Sequence, residues 1–261
     1  MESYNKSSGN PLLSIITVNR NNADGLRKTM KSVFNLTFKD YEYIIIDGAS
    51  TDDSVDVIKE FLKNPEYAKK ITYWCSEPDK GIYNAMNKGL EHANGILANM
   101  MNSGDCFIPD SLEKLPLWEK ENQGCVLYGA ISKYDNGVFL GAESPSSENI
   151  DRTPLCHQAT FIPLDLHKKF GNYDEQYKIY ADFELCNRFK KNNVKFFWVN
   201  HIICNFEGGG LSSIVNKARW EEKDKILKKY GNFHRNPLKE FLKNFFPYGI
   251  VQFIRSKRHP S

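Results

Sequence analysis

The sequence contains no uninterrupted apolar run of about eighteen residues, the length a spanning helix needs, so it predicts no transmembrane segment. Its first ten residues, MESYNKSSGN, are polar and lack the apolar centre of a signal peptide. A flexible lead-in over 1–10 and a cytoplasmic compartment are therefore expected. None of the six cysteines (Cys75, Cys106, Cys125, Cys156, Cys186 and Cys204) forms a CxxC pair, and most lie in or beside apolar runs. That disfavours a zinc site or disulfide framework and predicts buried, reduced thiols. A net charge of only +3 gives little footprint for nucleic acid, which is not expected as a partner. Internal repeats and low-complexity stretches are lacking too. So are the spacings of a P-loop or a GxGxxG fingerprint. The one glycine run, Gly208-Gly209-Gly210 after Glu207, could cradle phosphate through backbone N–H groups or hinge a lid over a site.

What is present is an ordinary globular composition, 41% hydrophobic and 26% charged over 261 residues, which suits one large domain or one domain with an appendage. Leu12–Val18 and Tyr41–Ile46 are near-continuous, β-branched apolar runs, the pattern of strands buried on both faces. Each is followed by a polar loop and then a helical period: Leu26, Met30, Val33 and Phe34, then Val55, Ile58, Phe61 and Leu62. Thr51 or Asp52 can cap the second of these helices. Ile71–Cys75 and Ile96–Met101 read as the third and fourth strands. Between them a helix opens at Gly81 and is expected to close at Asn94-Gly95, residues that tolerate positive φ. Alternating strands and helices predict a mainly parallel sheet with covering helices. Right-handed crossovers then bring Thr17–Arg20, Asp47, Asp79 and Asp105 to one edge, where open α/β sheets bind ligands.

The rhythm changes after Asp105. The pattern predicts a helix over Asp110–Glu121, strands over Cys125–Ile131 and Val138–Leu140 joined by an Asp135-Asn136-Gly137 hairpin turn, and a mobile loop over Gly141–Pro154. A strand over Ala159–Ile162, helices over Asp165–Phe170 and Tyr180–Lys191, and strands over Val194–Val199 and Ile202–Phe206 follow. This half reads as more antiparallel and as an extension of the same sheet. Pro237–Arg258 combines dense aromatics with Lys and Arg, suiting either a packed terminal helix or an interfacial segment on anionic lipid.

Several side chains carry possible chemistry. Asp105 can be a turn residue or an oxygen ligand for Mg²⁺ or Mn²⁺ beside substrate phosphates. Asp47 can cap a helix or accept hydrogen bonds from a base or ribose. Asp182 and Glu184 sit at a helix start, where carboxylates complement the dipole; one of them facing the metal edge would suit a general base. His157-Gln158 precedes a strand, after a loop able to fold over the site.

The set TVNR (Thr17–Arg20), IIIDGASTD (Ile44–Asp52), EPDKGIYNAMNKG (Glu77–Gly89), NSGD (Asn102–Asp105), HQATF (His157–Phe161), YADFEL (Tyr180–Leu185) and GGGLS (Gly208–Ser212) resembles glycosyltransferase family 2 from about residue 12 to 213. The resemblance implies a single GT-A α/β domain with a mixed central sheet over 11–213, a C-terminal helical, membrane-proximal extension over 214–261, and an inverting mechanism. It implies a nucleotide-diphospho-sugar donor, UDP being commonest, with Mn²⁺ or Mg²⁺ as cofactor. It also looks like the subgroup that builds O-antigen, capsule or exopolysaccharide on polyprenyl-diphosphate-linked acceptors. These work as peripheral proteins at the inner face of the cytoplasmic membrane.

By position, Asp47 would contact the nucleotide base with Thr17, Asn19 and Arg20, while Asp79, Lys80 and Asn87 would line the donor pocket. Asp105 would hold the metal, and Asp182 would be the catalytic base. His157, Gln158 and Gly209 would serve the acceptor side or a lid. The chain departs from the pattern at Asn102 and Gly104, positions often held by acids, and at Ala181, where many relatives carry Glu. Two rivals share parts of this reading. A sugar nucleotidyltransferase should carry a glycine- and basic-rich loop after the first strand, which TVNRNN lacks. A non-catalytic sugar-binding protein would need no base at Asp182.

Overall fold

The computed structural model describes residues 9–113, 115–116, 124–143, 149–208 and 217–233. The chain divides into two compact units, Met1–Gly208 and Gly209–Ser261. The first unit alternates strand and helix at its start: β1 (Leu13–Asn19), α1 (Ala23–Phe34), β2 (Tyr41–Asp47), α2 (Ser54–Leu62), α3 (Pro65–Ala68), β3 (Ile71–Ser76), α4 (Ile82–Glu91) and β4 (Leu97–Met100). These strands run parallel in the spatial order β3-β2-β1-β4.

Every residue of β1 and β2 is buried, because side chains alternate between two covered faces. Leu13, Ile15, Tyr43 and Ile45 join one apolar cluster with Leu26, Met30 and Val33 of α1 and Val57, Ile58 and Phe61 of α2. Ile16 and Ile46 point the other way, onto Gly89 of α4. Asn22 caps α1 by accepting from Gly25 N–H, and Asp52 accepts from Ser54 N–H in the first turn of α2.

The sheet continues through β5 (Cys106–Phe107), β6 (Val126–Asp135), β7 (Val138–Glu143), β8 (Thr160–Pro163) and β9 (Phe196–Glu207) into one nine-stranded sheet. Strand β8 is antiparallel to both β4 and β6, while β6 and β9 are parallel, so the sheet is mixed. Asn136 and Gly137 both take positive φ, as a two-residue hairpin turn demands, and β6 pairs antiparallel with β7 across them. Among the described residues this unit also holds the 3-10 turn His157–Ala159 and helices α5 (Leu164–Phe170) and α6 (Ala181–Lys191). In the second unit α7 (Lys217–Lys229) is followed by Gly231 at positive φ, with Asn232 N–H returning to the Leu227 carbonyl, a C-terminal cap.

Four expectations are corrected. Asp110–Glu113 form turns rather than the start of a helix: Pro116 has no N–H to give Leu112 and disfavours helical backbone at Leu115. The two strands expected near the end of this unit are one bulged strand, β9, whose pairing with β6 shifts register near Ala130. Gly141–Glu143 belong to β7 rather than to a loop. Helix α4 ends at His92 in ordinary helical backbone, and Gly95 does not take positive φ. Gly95 serves close approach instead: a Cβ there would lie 2.6 Å from the Ser14 backbone nitrogen. Pro237–Arg258 lies outside the described residues. None of the six cysteines is in a disulfide; Cys125, Cys186 and Cys204 are buried, and the other three are half-buried.

Candidate active site

The carboxyl ends of β1, β2 and β3 are in register, with Asn19 opposite Asp47 and Asp47 opposite Ser76. Asp47 is fully buried. Its Oδ1 accepts from Asn19 Nδ2 at 2.7 Å and Ser50 Oγ at 2.6 Å; its Oδ2 accepts from Ser50 N–H at 2.9 Å and Ser76 Oγ at 2.6 Å. Four donors converge on one carboxylate, which is how a buried charge is tolerated. Thr17, also buried, accepts from the Tyr43 hydroxyl. Asp79 accepts from Gly81 N–H at the start of α4 and packs so closely on Gly48 that a Cβ there would lie 2.3 Å from its Oδ2. Arg20 lies 3.8 Å from Asp79 but is 65% exposed, so the pair is loose. Lys80 is exposed beside it. Asn87 is placed differently: its Nδ2 donates to the Tyr173 carbonyl and to Glu175, and its Oδ1 accepts from Tyr173 N–H.

Asp105 follows β4 through the turn Asn102–Gly104, where Gly104 takes φ 106° and gives its N–H to Thr29 Oγ1. Only 5% of Asp105 is exposed. Its Oδ2 accepts from Gln158 Nε2 at 2.6 Å and its Oδ1 from the Glu207 backbone N–H at 2.9 Å. Burial pushes its pKa up to about 6; those two hydrogen bonds and the nearby His157 and Lys28 pull the other way.

Asp182 sits in the first turn of α6. Its Oδ1 accepts from Phe183 N–H at 2.7 Å and from the Tyr83 hydroxyl at 3.2 Å, and its Oδ2 faces His157 Nδ1 at 3.1 Å. The side chains of His157 and Asp182 remain 18% and 16% exposed, enough to meet a substrate. His157 Nε2 lies 2.8 Å from Asn102 Nδ2, on the loop that carries Asp105. Burial and the charge of Asp182 raise the Tyr83 hydroxyl well above its usual pKa, so it stays a neutral donor. Glu184, wholly buried, pairs with Arg188 and does not share this site.

The structure thus gathers Asn19, Asp47 and Asp79 at the strand ends, and joins Asp105 and Asp182 through adjacent His157 and Gln158. Gly209 lies outside the described residues. Sequence reasoning missed Tyr83, Asn102, Glu207, Ser50 and Ser76 as partners. Tyr83 lay within the most specific motif, whereas the Glu207 contact is made by backbone and leaves no signal in residue type.

Residues 14–165 match the family described as Glycosyl transferase family 2. The chain is 30% identical over 213 residues to an uncharacterized glycosyltransferase of Mycobacterium tuberculosis, covering 78% of each. It is 26% identical to a PGL/p-HBAD biosynthesis glycosyltransferase of Mycobacterium bovis, over 78% of this chain and 80% of that one. In fold it is similar to S. aureus TarS in complex with UDP-GlcNAc, with a TM-score of 0.65 at 16% identity over 84% of this chain and 71% of that one. It is also similar in fold to a Pyrobaculum calidifontis mannosyltransferase in complex with GDP-Man and Mn2+, with a TM-score of 0.63 at 12% identity over 88% and 67%.

Proposed function

This chain belongs to glycosyl transferase family 2 and is a glycosyltransferase of GT-A-like fold, and we propose that it moves a sugar, with inversion, from a UDP-sugar to a lipid-linked saccharide in surface-polysaccharide assembly. The observation that carries this reading is Asp182: a carboxylate fixed on both oxygens yet still part exposed, one hydrogen-bonded imidazole away from the Asp105 loop. The acceptor reading draws on the basic, aromatic sequence Pro237–Arg258 as a segment for the inner membrane surface. Among the described residues no helix is long and apolar enough to cross a membrane.

In the proposed reaction Asp182 takes the proton of an acceptor hydroxyl as its oxygen attacks the anomeric carbon. The carbon–oxygen bond to the diphosphate breaks on the opposite side, its electron pair leaves with the diphosphate, and configuration inverts. Such positioned base catalysis is worth about a hundred- to ten-thousand-fold. Asn19, Asp47, Asp79, Arg20 and Lys80 form the donor side, with Thr17 buried on β1 beside Asn19, while Asn87 is bonded to Tyr173 and Glu175 instead.

Among the described residues no three His, Cys, Asp or Glu side chains converge as a ready metal site. Asp105 nonetheless fits a divalent cation: each oxygen accepts one hydrogen bond, leaving a lone pair on each, and Mg²⁺ or Mn²⁺ at substrate phosphates commonly needs only one or two protein carboxylates. Asp105 would hold it, and the bound cation would supply charge neutralisation for the departing diphosphate.

A thermal-shift screen of UDP-, GDP- and dTDP-sugars, with and without Mn²⁺, tests the donor class. Ligand at a hundred times its Kd stabilises a fold by about 2.7 kcal/mol. A Mn²⁺-dependent shift with UDP-sugars is expected. A shift with GDP- or dTDP-sugars alone would replace UDP as the donor, and no shift with any of them would overturn the reading.

A further inference from the structure

We infer that the 3-10 turn His157–Ala159 is a positioning element that sets two carboxylates of the site in one register, His157 orienting Asp182 and Gln158 orienting Asp105. This rests on the reading of Asp182 as base and Asp105 as the cation-side carboxylate. The turn itself is held from the strand that leads to Asp105. Asn99 of β4, its side chain buried, donates through Nδ2 to the carbonyls of His157, Gln158 and Thr160 at 3.3, 3.0 and 2.9 Å. Thr160 Oγ1 closes the turn on the Cys156 carbonyl at 2.7 Å.

Each side chain of the turn has its polar atoms committed. A carboxylate accepts only, so the proton between Asp182 Oδ2 and His157 belongs to Nδ1. Nε2 lies 2.8 Å from Asn102 Nδ2, and with that amide N–H turned toward it Nε2 is the acceptor. Gln158 is locked the same way. The Cys156 thiol donates to its Oε1 at 2.8 Å, so its amide N–H must face Asp105 Oδ2. Gln158 is only 2% exposed and so offers no surface to an acceptor sugar. An imidazole with both nitrogens bonded is likewise a support for Asp182 rather than a lid residue. Supporting residues of this kind typically change activity or metal affinity by about 10- to 100-fold when removed.

The two halves of the turn therefore have separable effects, read with a panel of UDP-, GDP- and dTDP-sugars and Mn²⁺. Turnover is the fastest nucleoside diphosphate release in the panel, and binding is Mn²⁺-dependent nucleoside diphosphate affinity by calorimetry. His157→Ala should lower kcat about 10- to 100-fold with binding changed less than about twofold, and His157→Asn, whose amide can replace the Nδ1 donor, should recover most of it. Gln158→Ala should weaken Mn²⁺-dependent binding about 10- to 100-fold. Equal losses of both properties in both alanine variants, or no loss in either, would overturn the inference. Independently of turnover, ¹⁵N spectra of histidine-labelled protein should show His157 protonated at Nδ1 and bare at Nε2; the opposite tautomer would also overturn it. Normal turnover in Asp182→Asn would sink the underlying base assignment. A slow Asp182→Asn beside a normal His157→Ala would sink this inference alone.

Discussion

Asp105 and Glu207 are 102 residues apart in sequence, yet the backbone N–H of Glu207 donates to Asp105 Oδ1 at 2.9 Å. Glu207 is the last residue of β9, its side chain reaches Lys28 at 3.3 Å, and the glycine run follows it directly. The end of β9 and the carboxylate proposed for the cation are thus one unit. Burial dominates the balance there and raises the Asp105 pKa from 3.8 to about 6.

That shift gives two pH effects of opposite direction. Between pH 3.8 and about 6 the folded state holds a proton that the unfolded state has released. The contribution of Asp105 to stability therefore falls as pH rises through that window, by on the order of 3 kcal/mol at most, and is flat above it. Cation binding runs the other way, because a protonated carboxyl is a poor ligand: Mn²⁺-dependent nucleotide affinity should drop roughly tenfold per pH unit below about 6. Calorimetric titrations from pH 5 to 8 check this, and affinity constant down to pH 5 would exclude Asp105 as the ligand.

Asp182→Asn keeps the size of the side chain and an oxygen for the Phe183 N–H and Tyr83 hydroxyl, but removes the proton acceptor. Turnover should fall by about a hundred- to ten-thousand-fold with nucleotide affinity retained. Parallel loss of affinity would mark Asp182 as a structural carboxylate instead.

The first half of the fold was legible because its strands are buried on both faces and read as near-continuous apolar runs, LLSIITV and YEYIII. The elements that escaped are those whose identity comes from a partner. Strand β5 is only Cys106–Phe107 and exists through pairing with Cys204 and Asn205. Helix α3 is one turn, although Asn64 as its cap and Pro65 at its first position were a usable signal. Leu112 and Leu115 have helical spacing, but Pro116 outweighs it. In the site the residue types were legible and the partnerships were not. Gln158 meets Asp105 only because β8 lies antiparallel beside β4, a register set by non-local packing.

Gly89 illustrates a motif residue whose reason is packing. It lies in α4, where alanine would ordinarily favour helix by about 1 kcal/mol. Here a Cβ would lie 2.4 Å from Cγ2 of Ile16, a wholly buried residue of a central strand. Overpacking of that kind costs about 1–3 kcal/mol, so the clash should outweigh the helix gain. Gly89→Ala should lower the denaturation midpoint; a stabilised variant would mean that β1 and α4 can part without strain.

The last prediction concerns Asn87, which separates a donor-pocket role from a scaffolding one. Asn84 Nδ2 donates to both oxygens of Glu175 at 3.1 Å, and Asn87 Nδ2 adds a third bond at 3.0 Å. The bond from Asn87, then that from Asn84, holds the Glu175 pKa below its usual 4.5. Because the folded pKa is depressed, this clamp stabilises the protein above pH 4.5 and is lost as pH falls through the folded value. The clamped segment, Tyr173–Glu175, leads into the start of α6, where Asp182 stands. Removing hydrogen bonds to a charged group costs about 1.5–3 kcal/mol each, partly offset here because Glu175 is only half-buried and can meet water. Asn87→Ala should therefore destabilise the fold by about 1–2 kcal/mol and reduce kcat through displacement of Asp182, with donor KM little changed. A raised donor KM with normal stability would return Asn87 to the donor pocket that the sequence suggested.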